Sequence, residues 1–181
     1  MKKTARSRQN KSDKTLAVFI LLYFAGIIIG SLAYLVYAGL FGKELYSAYA
    51  AYRASDTPFF PILLQSAALA YAGLFIILLS YKTRFCPAVI SFYMALCGAP
   101  AGATLSALFG CLGPYGIPAA LAFILPQTLC LLLIRLFVSE IAVRLADRQK
   151  VPPRALIAAF AAPIIPVVYD ALSISIFLKK L

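Results

Sequence analysis

Apolar positions run in long blocks along this chain. They extend from Thr15 to about Leu40, Phe59 to Ser80, Cys86 to Gly110, Ile117 to about Val138, and Ala155 to Phe177, with short segments rich in charge or in Gly and Pro between them. Each block is longer than the roughly 18 residues that mark a membrane-crossing helix. None alternates polar and apolar residues with a period of two, as a membrane strand would. In lipid every backbone amide must find its partner within the protein, so helices are predicted throughout. The expected fold is all-α: a polytopic transmembrane helix bundle of about five spans, 15–40, 59–80, 86–110, 117–138 and 155–177. One bundle over 15–178 follows a basic tail, residues 1–14.

The tail, "MKKTARSRQNKSDK", places six Lys and Arg ahead of the first run. That order suggests a signal peptide. A cleavable apolar core is only about 7 to 15 residues long, however, and the one A-x-A near it, Ala48 to Ala50, lies too far downstream, so a retained signal anchor is expected. Lys and Arg gather on the cytoplasmic side of short loops. An inner N-terminus puts the tail, "YKTRF" and "RLADRQKVPPR" inside, and "GKELYSAYAAYRASDTP" and the uncharged "CLGPYG" outside. Lys179 and Lys180 run against this assignment and are outvoted.

Two local features refine the pattern. "GPYGIP" predicts a tight outer turn, with Gly113 and Gly116 supplying turn geometry and Pro114 and Pro118 delimiting helices. After the fourth run, "SEIAVRLADRQK" keeps helical register, with Glu140 and Arg144 four residues apart, until Pro152 and Pro153 break it. This basic end is expected to meet anionic lipid at the cytoplasmic surface, at about 1 kcal/mol per charge.

Composition narrows the chemistry. The 181 residues are 63% hydrophobic and 13% charged, with a net charge of +11. With so apolar a chain, that charge points to a membrane surface and not to nucleic acid. There is no histidine, which removes the common general base and any Ser-His or Cys-His pair. Cys86, Cys97, Cys111 and Cys130 stand ten or more residues apart, unlike thiolate metal sites or redox pairs, and read as packing residues. A link between Cys97 and Cys111 would need a bend in the third span. No enzyme, metal site or cofactor is expected.

The unusual residues within the runs are the candidates for function. Gly26 and Gly30 in the first span, and Gly98, Gly102, Ser106 and Gly110 in the third, repeat at fourfold spacing and let helix backbones approach closely. They serve packing inside the bundle or docking to another membrane protein. Tyr46, Tyr49 and Tyr52, followed by Arg53, repeat every three residues beyond the first span. They form either an interfacial aromatic belt or an outer partner surface. Pro126 frees the carbonyl of Ala122, and Gln127 brings an amide to the same depth. Asp170 is the costliest group, at about 2.5 to 3.5 kcal/mol for a charge at a helix centre. Depth along the helices, at about 1.5 Å per residue, matches Asp170 with Gln127 better than with Arg135, which is expected to reach back to the cytoplasmic surface.

These residues resemble those of the stage II sporulation protein M family of bacterial membrane proteins. "VFILLYFAGIIIGSLAY" is similar to that family's first span. The Gly-spaced third span, the glycine turn and "LPQT" are similar to its Leu-Pro-Gln-Asn segment, and Asp170-Ala171 to its intramembrane Glu-Ala. The likeness covers most of the chain. Thr128 stands where asparagine is usual, and the outer segment, about Phe41 to Pro58, is shorter. The resemblance implies a non-enzymatic scaffold in the bacterial cytoplasmic membrane around the forespore, holding the peptidoglycan-degrading stage II sporulation proteins D and P during engulfment. The competing expectation, from Asp170, Gln127, Pro126, Pro163 and Pro166, is a small transporter or channel subunit, since polar residues and broken helices at mid-membrane often line solute paths.

Overall fold

The computed structural model describes residues 14–38 and 59–180; at 62, 111–112, 115–116, 119, 123 and 174–180 it describes the backbone alone. The described residues are helical, with no strand among them. Helix α1 covers Lys14–Ala38, α2 Phe59–Leu79 and α3 Cys86–Leu112. A short α4, Gly116–Ala119, runs through a π-helical stretch, Ala120–Ile124, into α5, Leu125–Ala146. Helices α6, Pro153–Ala161, and α7, Ile164–Lys180, complete the chain.

Four stretches are long and apolar enough to cross a bilayer: Lys14–Ala38, Phe59–Lys82, Cys86–Gly110 and Pro153–Ser173. This is the build of a multi-pass membrane protein. The run at 117–138 stands apart from them, broken into α, π and α segments, with its last helix carrying Arg135, Glu140 and Arg144. The run at 155–177 is likewise divided. A turn at Ala162 and Pro163 separates α6 from α7, because Pro163 has no N–H to donate to Ala159.

Apolar side chains face outward along every span. Leu21, Leu32, Phe60, Leu64, Phe92, Leu133 and Ile165 are all exposed, as lipid-facing residues must be. Buried residues concentrate toward one end. Phe19 and Tyr23 of α1, Leu74 and Ile77 of α2, Cys86, Ile90 and Met94 of α3, and Val138, Ile141 and Ala142 of α5 form one core. That end is closed by the α2–α3 turn, where the buried Ser80 hydroxyl donates to the Ile77 carbonyl at 2.6 Å and Thr83 donates to the Ser80 carbonyl at 2.7 Å. Most of the charge of the described residues lies at the same end, on Lys14, Lys82, Arg84, Arg144, Arg148, Lys150 and Arg154.

Glycine sets the closest helix approach. A methyl group placed on Gly26 would lie 2.1 Å from the Ala95 carbonyl oxygen, and one on Gly30 would lie 1.9 Å from that of Ala99. Reciprocally, a methyl on Gly98 would meet the Tyr23 oxygen at 2.1 Å and one on Gly102 the Ile27 oxygen at 2.0 Å. Helices α1 and α3 therefore touch backbone to backbone and run in the same direction. Ser31 adds a hydrogen bond to the Gly102 carbonyl at 3.2 Å. The four glycines are used inside the bundle.

The turn after α3 differs from its expected form. Of its two glycines, Gly113 takes a positive φ, 56°, and its N–H caps the helix on the Phe109 carbonyl. Gly116 instead opens α4. At the opposite end, Glu140 and Arg144 pair at 2.5 Å with the predicted spacing.

Candidate intramembrane polar site

Two helix breaks generate the polar site. Pro126 cannot donate to the carbonyl of Ala122, and the chain before it is wound as a π-helix. The hydroxyl of Tyr169 on α7 donates to that carbonyl at 2.5 Å. At the second break, Tyr71 of α2 donates to the Phe160 carbonyl at 3.0 Å. Each tyrosine joins its own helix to a neighbour beside a break in the neighbour's ladder. Gln127, the expected source of this compensation, is not the donor.

Asp170 follows Tyr169 and turns into the bundle, where its Oδ2 accepts a hydrogen bond from the Ser66 hydroxyl of α2. Both side chains line a cavity of about 420 Å³ to which α1, α2, α3, α5 and α7 all contribute. Its polar lining is Tyr23, Ser66, Thr104, Gln127, Thr128, Arg135 and Asp170. Leu69, Ala70, Leu131 and Val167 supply apolar wall. Asp170 and Gln127 thus share one space, although the hydrogen bond of Asp170 goes to Ser66.

Arg135, expected to reach back toward a membrane surface, lines the same cavity. The reason is its helical face: Gln127, Thr128, Leu131 and Arg135 follow one another at one-, three- and four-residue steps, so they share the inward side of α5. The Tyr93 hydroxyl is its neighbour, with the Cys97 thiol also beside that hydroxyl, and Tyr93 in turn closes over Gly73. Among the described residues the only ion pair is Glu140 with Arg144. Arg135 and Asp170 therefore face one cavity without pairing.

The remaining candidates divide simply. Gly26, Gly30, Gly98 and Gly102 build the α1–α3 contact beside the cavity. Tyr46, Tyr49, Tyr52 and Arg53 lie outside the described residues. Cys86, Cys97 and Cys130 are free thiols, and the side chain of Cys111 is outside those described. Among the described residues no three His, Cys, Asp or Glu side chains gather as metal ligands. Sequence reasoning missed Ser66, Tyr71 and Tyr169. Ser66 had a signal, since Gln65 and Ser66 are an isolated polar pair within an apolar span.

No protein family, curated protein or solved structure matches the chain.

Proposed function

We propose that the chain is a non-enzymatic membrane scaffold of the kind that the stage II sporulation protein M resemblance implies, anchoring peptidoglycan-degrading proteins at a bacterial membrane. One observation carries this reading. The short segments on which the resemblance rests, far apart in sequence, meet in space: the first-span glycines pack on those of the third, while Gln127, beside Pro126, shares a cavity with Asp170. The glycines hold α1 on α3, and Asp170 joins α7 to α2 through Ser66.

The same reading takes five crossings and an inner N-terminus. It is supported by the parallel packing of α1 on α3, which requires an even number of crossings between their starts, and by the basic residues at one end of the bundle. The outer segment near Tyr46, Tyr49 and Tyr52 would then face the cell wall. The experiment is co-purification in mild detergent with stage II sporulation proteins D and P. Wild type is expected to retain both, and a triple Tyr→Ala variant at 46, 49 and 52 to release them while staying folded. A folded wild-type bundle that retains neither protein ends the proposal.

A second reading, a small transporter or channel subunit, is favoured by the cavity itself. Broken helices beside a polar space at membrane depth are the usual setting of a solute site. In proteoliposomes wild type would carry solute and Asp170→Asn would lose most of that flux. Identical traces with and without protein dispose of this reading.

A further inference from the structure

The cavity places an acidic and a basic side chain, Asp170 and Arg135, at opposite ends. From Ile124, the last residue of the π-helical stretch, its lining runs along α5 through Gln127, Thr128 and Leu131 to Arg135, a distance of about 16 Å at about 1.5 Å per residue. The hydrogen bond from Tyr169 to the Ala122 carbonyl ties α7 to α5 just before Ile124. Asp170 therefore lies toward the Ile124 end, and Arg135 at the other. Between them stand Leu69, Leu131 and Val167, beside the Gln127 and Thr128 face of α5.

We propose that this cavity binds a linear zwitterion, with its anionic group on Arg135, its ammonium group on Asp170, and an apolar chain between them. The charges would be separated by roughly 12 to 16 Å, the helical rise to Arg135 from Gln127 or from Ile124. Three features point to this class of ligand. The guanidinium of Arg135 has no carboxylate partner among the described residues, so an incoming carboxylate or phosphate supplies the counter-charge. Asp170 has committed one oxygen to Ser66, while a carboxyl group has acceptor capacity on both oxygens. The volume, about 420 Å³, falls in the range of small-molecule sites. A ligand with one charge would satisfy one end and leave the other unpaired inside the membrane, where unpaired charge is costly. A dipolar ligand satisfies both ends and adds no net charge. The inference deepens the transport reading by naming a solute class, yet it requires only binding.

The test uses the full chain in nanodiscs of zwitterionic lipid, with three probes of one chain length: aminooctanoate, octanoate and octylamine. Calorimetric titration is expected to show aminooctanoate binding about tenfold or more tightly than either single-charge probe. The shorter aminobutyrate, unable to reach both ends, is expected to bind weakly. Arg135→Gln and Asp170→Asn should each abolish the preference for the zwitterion, while Arg144→Gln, outside the cavity, leaves it intact. The wild-type comparison stands even if a variant fails to fold. Octanoate binding as tightly as aminooctanoate would overturn the proposal in favour of a simple anion site, and so would no binding by any probe. Zwitterion binding without flux leaves this inference standing and removes the transport reading. Asp170-dependent flux of another solute, without zwitterion binding, does the reverse.

Discussion

At Ala122 a backbone carbonyl loses its usual donor to Pro126 and takes the hydroxyl of Tyr169 instead. In lipid no water replaces that hydroxyl. Tyr169→Phe is therefore expected to cost about 1 to 3 kcal/mol, the penalty of an acceptor left unsatisfied away from water, read as a lower thermal midpoint in mild detergent. Tyr71→Phe strips the Phe160 carbonyl and should cost a similar amount. The surface pair tests the contrast: Glu140→Gln removes an exposed ion pair and should change stability by no more than about 0.5 kcal/mol. The proline side of this arrangement is visible in the sequence, because a missing N–H follows from the residue type. The tyrosine side is not, because which hydroxyl arrives depends on how α7 rotates against α5. Arg135 shows the same limit. Depth arithmetic ranks residues along the membrane normal, but only the helical face they share sends Arg135 inward.

Among elements, the α1–α3 contact and the split last span teach opposite lessons. Fourfold glycine spacing on both helices predicts close approach, and the structure brings the two stripes face to face. Gly98→Val would drive a side chain into the Tyr23 carbonyl, which belongs to a helix backbone and cannot give way. The helices must part, at a cost of about 1 to 3 kcal/mol. Gly110→Ala is the control: its methyl would lie 3.6 Å from the Tyr34 hydroxyl, an ordinary contact, and the thermal midpoint should hold. Comparing melting of the two variants in the same detergent checks both. The boundary between α6 and α7 is less legible. Apolar residues continue across Ala162 and Pro163, so hydropathy reports one span where the hydrogen-bond ladder reports two helices. A fourth run at 117–138 suffers the same blindness, because its π-helical stretch, Ala120–Ile124, is as apolar as the helix beside it.

For the molecule as a whole, the all-helical multi-pass plan is legible because bilayer thickness and backbone pairing leave few alternatives to long apolar runs. The cavity is not legible, since its lining comes from five helices and no one of them announces it. Sidedness is open to a direct check. A cysteine introduced at Thr83, in the α2–α3 turn, is expected to resist an impermeant thiol reagent on intact cells and to react in inverted vesicles. Reaction on intact cells would reverse the proposed orientation. The parallel glycine contact also bears on how the chain is made. Ser31 and the Gly102 carbonyl that it binds are 71 residues apart, so at about 5 to 20 residues per second a ribosome needs roughly 4 to 14 seconds to deliver the second after the first. For that interval the earliest helix waits in the bilayer with its groove bare, and a nascent chain halted before the third helix should be a ready substrate for membrane quality control.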